Sequence, residues 1–236
     1  MAVSSRITHQ AFDRHILVEE IRQILQHHGW SKCVLVGHSY GTAICTYLLK
    51  SPQTSPLIGP VVLIDPICFL LHLPDVAYNF TARRPVHAKE LILWYFGSKD
   101  IGVAHTLSRR FFWSENILWK EELGVNDGQR TAIVVLSGND DIVDAQAVRR
   151  YLMTSSLIAS PAHDKAIKKA GGIEEDVEIN LVNEAARTSV STSVSGSGLR
   201  VIWLDRFHHG QAFYFEKARK AVIKAIRASC GIQGHA

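Results

Sequence analysis

The pentapeptide "GHSYG" at residues 37–41 contains the residue types that a nucleophilic site requires. The apolar run "CVLVG" leads into Ser39, and the helix-like segment "TAICTYLL" follows it. A Gly-x-Ser-x-Gly turn between a strand and a helix lifts the serine hydroxyl above the sheet, and its glycines let the two backbones pass close together. The helix start favours negative charge, and the Tyr40 N–H is expected to donate to an oxyanion. We therefore interpret Ser39 as a nucleophile; the alternative is a serine in a structural turn.

At these residues the sequence resembles the α/β-hydrolase superfamily. The resemblance runs from about residue 15 onward, and "VGHSYG" is its most specific element. A serine hydroxyl needs a base to activate it, and the base needs an acid to orient it. The superfamily's chain order is serine, acid, histidine. The resemblance therefore implies that an acid and then a histidine follow Ser39 in the chain.

The acid and the histidine each have two neighbouring candidates. The segment "VVLSGNDDIVDA" resembles the superfamily's strand and its Gly-x-Asp or Gly-x-x-Asp turn, so both Asp140 and Asp141 qualify. Asp140 is preferred because similar sequences continue with one residue of any type and two apolar residues. The segment "VIWLDRFHHGQAF" resembles the last strand and its His-Gly step, which favours His209 over His208. A solvated acidic loop and a structural pair of histidines are the alternatives.

The resemblance implies a serine hydrolase that cleaves an ester or a thioester through an acyl-enzyme. Ser39 attacks the carbonyl carbon, His209 transfers the proton, and Asp140 orients His209. Epoxide hydrolases and haloalkane dehalogenases of this superfamily are disfavoured, because they place aspartate where this chain has serine. Asp65 is a weaker candidate for the acid and is interpreted as structural, and His38 is interpreted as a residue that packs near the nucleophile. We expect no cofactor and no metal, since no ligand spacing favours one.

Short apolar, β-branched runs alternate with helix-like segments along the chain. This alternation predicts an α/β fold, with a mostly parallel sheet flanked by helices and functional loops at the carboxyl ends of the strands. The predicted strands are residues 33–37, 60–66, 131–138 and 199–205, and the predicted helices are residues 17–28, 42–49, 145–153 and 215–226.

Two segments interrupt the alternation and define the predicted domains. Residues 69–124 are rich in aromatic residues and helical in character, and we predict that they form a helical cap over the sheet. Residues 155–198 are polar and end in "TSVSTSVSGSG", which predicts a flexible insertion. The α/β-hydrolase core then comprises residues 1–68 and 125–236. The aromatic residues of the predicted cap either line an apolar acyl pocket or pack the cap onto the sheet; they are Trp94, Tyr95, Phe96, Phe111, Phe112, Trp113 and Trp119.

The segment before Ser39 is short for this superfamily. Members usually have several strands before the nucleophile, and a loop after an early strand supplies the second oxyanion N–H. Residues 1–15 contain no such loop. We expect an N-terminally shortened form of a longer hydrolase; the alternative is that another element replaces the loop. A catalytically impaired hydrolase-like protein that acts by binding a partner is the second functional hypothesis.

Composition excludes several classes of protein. Among 236 residues, 47% are hydrophobic and 20% are charged, with a formal net charge of +4, as in an ordinary globular protein. Lys and Arg form no dense stripe, so nucleic acid is not an expected partner. No apolar run is long enough to cross a membrane.

The cysteines Cys33, Cys45, Cys68 and Cys230 stand singly, which predicts buried thiols in a reducing compartment and a cytoplasmic location. A longer parent could carry a targeting or membrane segment. The expected partner is a small-molecule ester, and the aromatic cap favours an apolar acyl group.

Overall fold

The computed structural model describes residues 12–154, 189–195 and 198–232. The strands are β1 (Cys33–His38), β2 (Ile58–Ile64), β3 (Ala132–Ser137), β4 (Val190–Ser195) and β5 (Leu199–Leu204). The α-helices are α1 (Arg14–His27), α2 (Gly41–Lys50), α3 (Asp75–Ala77), α4 (Ala88–Leu93), α5 (Ile101–Arg109), α6 (Trp113–Asn116), α7 (Ala145–Met153) and α8 (Glu216–Ser229). Short 3-10 helices occupy Ser55–Leu57, Lys120–Leu123 and Gln211–Phe213, and π-helical turns occupy Tyr78–Ala82 and Trp94–Ser98.

The five strands form one sheet in the order β1-β2-β3-β5-β4. The pairs β1–β2, β2–β3 and β3–β5 are parallel, and only β4 runs antiparallel to its neighbour β5. Connections between parallel neighbours contain helices, as parallel pairing requires. The prediction of an α/β fold with a mostly parallel sheet is confirmed.

The helices cover both faces of the sheet. Successive strand residues point to opposite sides, and in the central strands the side chains on both sides are apolar. On one face, Val61 and Leu63 of β2 belong to a buried apolar cluster that also includes residues of α2 and α7. On the other face, Val62 and Ile64 pack in a cluster with α8, which contributes Val222. Helix α1 packs on the outside of α2. The central strands are therefore buried on both faces, which explains their near-continuous apolar sequences.

The parallel pairing brings four chain segments to one edge of the sheet. β1 ends just before Ser39, and β2 ends just before Asp65. β3 leads into the loop that contains Asp140, and β5 leads into the loop that contains His209. The carboxyl ends of parallel strands lie at the same edge, so these side chains can meet there.

Helices α3 to α6 lie between β2 and β3, in the segment for which the sequence predicted a helical cap. The end of this segment is anchored to the core. Leu118 and Leu123 are fully buried in the same cluster as β2 and β3, and the Lys50 ammonium donates to the Ile117 carbonyl at 2.7 Å.

The prediction of a flexible insertion over residues 155–198 is wrong at residues 190–195, which form β4. This strand pairs along its whole length with β5, from Val190 opposite Leu204 to Ser195 opposite Leu199. Its Val and Thr residues favour a strand, and the open side of β5 supplies the hydrogen-bonding partner that a linker lacks. Residues 155–188, 196 and 197 lie outside the described residues.

The cysteine prediction is only partly right. Cys45 and Cys68 are buried, Cys33 is half-buried, and Cys230 is exposed. The prediction of burial is wrong for Cys230. This residue directly follows α8, and Ala225 is the last α8 residue that is buried in the core cluster. Burial raises the pKa of the Cys68 thiol to about 12, which keeps this thiol protonated and unreactive.

None of the helices in the described part of the chain has both the length and the apolar character that crossing a bilayer requires.

Candidate active site

Ser39 occupies a strained turn between β1 and α2. Its φ is +51°, in the left-handed region that non-glycine residues rarely adopt. The Ser39 N–H donates to the Ile64 carbonyl at 3.0 Å, and both the N–H and the hydroxyl of Thr42 donate to the Ser39 carbonyl, at 2.9 and 2.6 Å. These bonds to β2 and α2 hold a conformation that costs about 1–3 kcal/mol. Strain of this kind is typical of functional sites.

The two glycines of the turn have different structural roles. A Cβ on Gly37 would lie 2.5 Å from the Cys45 sulfur and 3.1 Å from the Gly41 carbonyl oxygen, whereas a Cβ on Gly41 would meet nothing within 4 Å. The sequence analysis attributed close packing to both glycines. The structure corrects this interpretation for Gly41, whose position is open.

Gly37→Ala is therefore expected to lower the free energy of unfolding by about 1–3 kcal/mol, because the added methyl group overpacks the contact between β1 and α2. Gly41→Ala is the matched control, and we expect a change within about 0.5 kcal/mol, since nothing opposes the new methyl group. Denaturant unfolding of both variants measures the difference. Equal losses would contradict the assignment of the close approach to Gly37.

Ser39, His209 and Asp140 form one continuous chain of hydrogen bonds. The Ser39 Oγ lies 2.7 Å from the His209 Nε2, and the His209 Nδ1 lies 2.7 Å from the Asp140 Oδ2. The side chain of Asp140 is 1% exposed and that of His209 is 13% exposed. The hydroxyl is therefore connected to a base, and the base to a buried carboxylate, at distances that permit proton transfer.

Backbone groups fix the Asp140 carboxylate. Its Oδ1 accepts the N–H groups of Ile142 and Val143, at 2.8 and 2.9 Å, which leaves Oδ2 for His209. The two apolar residues on which the choice of Asp140 over Asp141 was based are thus the residues whose N–H groups orient the carboxylate.

The neighbouring candidates, Asp141 and His208, form a second group that includes Lys89 of α4. The Lys89 ammonium lies 3.0 Å from the Asp141 Oδ2 and 2.9 Å from the His208 Nδ1. The His208 Nδ1 lies 3.2 Å from the same Asp141 oxygen. Asp141 and His208 therefore face α4 of the predicted cap, whereas Asp140 and His209 face Ser39.

Asp65, which the sequence analysis interpreted as structural, is a buried carboxylate beside His209. Its Oδ1 accepts the Ser137 N–H at 3.1 Å, and its Oδ2 accepts the Gly210 N–H at 2.8 Å. His38 packs nearby: its ring centroid lies 5.5 Å from that of His209, and its Nε2 lies 3.8 Å from the Asp65 Oδ2, beyond hydrogen-bonding distance.

The charges of this site favour the protonated form of His209 and the ionised form of Asp65. Burial lowers the pKa of His209, but the hydrogen bond to Asp140 and the charges of Asp140, Asp65 and Asp141 outweigh burial and raise the pKa above its ordinary value. Burial raises the pKa of Asp65, but His38, His209 and the two N–H donors outweigh it, so that the pKa lies below its ordinary value. The site is therefore built to stabilise an imidazolium.

The carboxylates of Asp65 and Asp140 and the His209 ring also lie close enough together to be considered as metal ligands, with donor atoms within 4.8 Å of one another. Each carboxylate oxygen, however, already accepts a hydrogen bond from a backbone N–H or is paired with His209. A metal ion would have to displace these bonds, so the donor set fits a hydrogen-bonded network better than a cation site.

The Tyr40 N–H lies at the start of α2, directly after Ser39. Within the described residues it donates to no backbone carbonyl and to no side chain. An N–H at a helix start that has no internal partner is available for an anion.

A cavity of about 880 Å³ opens beside Ser39. Apart from Ser39, Tyr40 and Ile142, all of its lining residues lie between residues 67 and 113, the segment that includes helices α3 to α5. Most of them are apolar; Asp100 is the one carboxylate among the described lining residues, and its side chain accepts the Val103 N–H at the start of α5. The cavity therefore suits an uncharged, largely apolar group.

Only two of the seven aromatic residues that the sequence analysis named line this cavity. Phe111 and Trp113 line it, whereas Trp94, Tyr95, Phe96, Phe112 and Trp119 do not. Tyr95 and Phe96 are about half exposed on the outer side of their π-helical turn. The sequence analysis missed Phe80 and the aliphatic lining, represented by Leu71, Val76 and Leu107. The four-residue spacing of Val103 and Leu107 in α5 was an available signal for part of it.

Comparisons with known proteins identify the fold. Residues 2–96 match the family model for the alpha/beta hydrolase fold. A meta-cleavage product hydrolase from Pseudomonas fluorescens, solved as a serine-to-alanine mutant complexed with acetates, is 11% identical with a TM-score of 0.52, over 95% of this chain and 75% of its own. A serine hydrolase from the bacterium Cycloclasticus zankles is 11% identical with a TM-score of 0.50, over 98% of this chain and 77% of its own.

The carboxylesterase CesB from Bacillus subtilis is 13% identical with a TM-score of 0.49, over 97% of this chain and 70% of its own. No curated protein sequence matches this chain. The match to the family model and the likeness to the meta-cleavage product hydrolase and to the serine hydrolase show that the chain has the α/β-hydrolase fold, as its sequence predicted.

Proposed function

We propose that this protein is a serine hydrolase that cleaves an ester or a thioester through an acyl-enzyme, with Ser39 as nucleophile, His209 as base and Asp140 as the orienting acid. The observation that carries the proposal is the unbroken chain from the Ser39 Oγ through both His209 nitrogens to the Asp140 Oδ2, with 2.7 Å at each step. The α/β-hydrolase fold supports the same reaction class.

Acylation begins when the Ser39 Oγ attacks the substrate carbonyl carbon while its proton passes to the His209 Nε2. The carbonyl oxygen becomes an oxyanion, to which the Tyr40 N–H donates. When the tetrahedral intermediate collapses, the bond from carbon to the alcohol oxygen or thiol sulfur breaks. His209 gives its proton to that leaving group, and the acyl group remains on Ser39.

Deacylation repeats these steps with water. The His209 Nε2 takes a proton from water, whose oxygen attacks the acyl carbon, and the carboxylic acid leaves as the proton returns to Ser39. In both halves the ionised Asp140 holds the proton on the His209 Nδ1, so that Nε2 is free to accept, and it stabilises the imidazolium.

The lining of the cavity supports a proposal about the substrate class. We propose that residues 69–124 act as a cap, and that the acyl group of the ester occupies the space between the cap and Ser39. Aliphatic and aromatic side chains dominate the lining, so we expect uncharged apolar acyl groups to be preferred over charged ones.

Labelling with a fluorophosphonate tests the reaction class. The Ser39 Oγ displaces fluoride from the probe, so intact-protein mass spectrometry should detect a gain of one phosphonyl group in the wild type and none in Ser39→Ala. Circular dichroism of both proteins is the control for folding. A folded wild-type protein that gains no adduct, or a variant that gains the same adduct, would overturn the proposal.

A further inference from the structure

Asp65 has contacts that a purely structural carboxylate does not need. It is 1% exposed, its φ is +43°, and it directly follows β2 at the edge of the sheet where Ser39 lies. Its two oxygens accept from different elements: Oδ1 from the Ser137 N–H at the end of β3, and Oδ2 from the Gly210 N–H directly after His209. Asp65 thus joins β2 and β3 to the loop that contains His209.

Asp65 also places a second carboxylate close to the His209 ring. Its carboxylate, the Asp140 carboxylate and the His209 ring offer polar atoms that lie within 4.8 Å of one another. A buried carboxylate normally becomes neutral unless donors or positive charges compensate it. For Asp65 the compensation consists of two N–H groups and the nearby histidines. His209 therefore has one carboxylate in direct hydrogen bond and another close by.

We propose that Asp65 is a positioning residue of this site. Through its hydrogen bond with the Gly210 N–H it holds the loop that contains His209 in place, and with Asp140 it stabilises the His209 imidazolium. This inference rests on the proposed hydrolase function. It adds a second carboxylate, from a different strand, to the chain of hydrogen bonds that ends at Asp140.

Several other charged or titratable groups surround His209 and must be distinguished from Asp65. The loop after β3 contributes Asp140 and Asp141, the end of β1 contributes His38, and the histidine's own loop contributes His208. Lys89 of α4 balances Asp141 and His208, with which it is in contact. Asp141 therefore provides a matched control: its charge also acts on His209, but it contacts the histidine loop only through the His208 side chain and is not fully buried.

The first test is NMR titration of the His209 ring in protein labelled with ¹⁵N-histidine. Removing the Asp65 charge takes away part of what favours the imidazolium, so in Asp65→Asn the titration of His209 should move to lower pH. Asp141→Asn should move it less, since Lys89 already compensates Asp141. A purely structural Asp65 would change the melting temperature but leave the His209 titration where it is in the wild type, and that result would overturn the proposal.

The second test is kinetic, with 4-nitrophenyl butyrate as the probe substrate. Asp65→Asn should lower kcat about a hundredfold with little change in KM, because a misplacement of His209 by about 1 Å can cost that much. In an Asp140→Ala background, Asp65 is the remaining fully buried carboxylate beside His209, since Asp141 is partly exposed and paired with Lys89. There Asp65→Asn should reduce the residual rate by a larger factor than in the wild type. An equal or smaller factor would contradict shared stabilisation.

The inference remains testable if Asp65→Asn does not fold. In the wild type, the ¹³C chemical shift of the Asp65 carboxyl group should change at the pH at which His209 titrates. A chemical shift that does not change at that pH would overturn the proposal. Failure of the proposed function has a different result, because the fluorophosphonate adduct would then be missing. A normal adduct with an unchanged His209 titration in Asp65→Asn would refute the role of Asp65 alone.

Discussion

His209→Ala is expected to lower kcat for ester hydrolysis by at least about 10⁴-fold, because the Ser39 hydroxyl loses the group that accepts its proton. The His209 Nε2 lies 2.7 Å from the Ser39 Oγ, and no other base of the described residues is bonded to that oxygen. Steady-state kinetics with 4-nitrophenyl butyrate and the rate of labelling by a fluorophosphonate should fall together, since both require an activated Ser39.

His208→Ala is the matched control for this prediction. The two histidines are adjacent in the chain, but His208 contacts Lys89 and Asp141 and does not face Ser39. We expect kcat to change by less than about threefold, within the range of a surface substitution. If the loss followed His208 instead, the assignment of the base would be wrong.

Asp140→Asn is expected to lower kcat by about 10⁴-fold while leaving the fold intact. The asparagine oxygen can still accept the N–H groups of Ile142 and Val143, which turns its NH₂ group toward the His209 Nδ1. That donor forces the ring proton onto Nε2, where it prevents acceptance of the Ser39 proton. Kinetics, with thermal melting as a check on stability, measures the effect.

Asp141→Asn separates the acid from its neighbour. This substitution removes the salt bridge to Lys89 but leaves both hydrogen bonds of His209 in place. We expect a change in kcat of less than about tenfold, since exposed salt bridges contribute little. Similar large losses for both aspartates would indicate that the whole acidic loop, and not one carboxylate, is required.

The sheet and the turn at Ser39 could be predicted from the sequence because their signals are local. Each central strand is an apolar, β-branched run, and the turn has its strand before it and its helix after it. The predicted helix over residues 42–49 and the observed α2 (Gly41–Lys50) differ by one residue at each end. Burial on both faces and close packing at Gly37 leave few other sequences possible there.

The sequence favoured Asp140 and His209 over their neighbours, but only through the resemblance of the surrounding segments. Asp140 and Asp141 have the same chemistry one position apart, and only the folded loop determines which carboxylate turns toward His209. The same holds for His208 and His209. The feature that distinguishes them is the contact of His208 with Lys89, which lies more than a hundred positions away in the chain. These choices depend on contacts between distant segments, which a single sequence does not display.

Other features were hidden for related reasons. β4 was predicted as a linker because its Ser-rich composition outweighed its alternating Val and Thr, and its partner strand begins only four residues later. Asp65 was interpreted as structural because Pro66 follows it at the entry into the predicted cap, and the donors that hold it come from distant segments, β3 and the histidine loop. Single-sequence patterns describe each segment but not the place where segments meet.

The lining of the cavity comes almost entirely from one part of the chain, and the proposed reacting groups come from others. All lining residues except Ser39, Tyr40 and Ile142 come from one continuous stretch, residues 67–113, whereas Ser39, Asp140 and His209 lie outside it. Under the proposed function, substitutions at these lining positions that keep the contacts of Lys89 with Asp141 and His208 would alter which acyl groups are accepted. The range of substrates would then change, by evolution or by exchange of these lining residues between related chains, while Ser39, His209 and Asp140 stay the same.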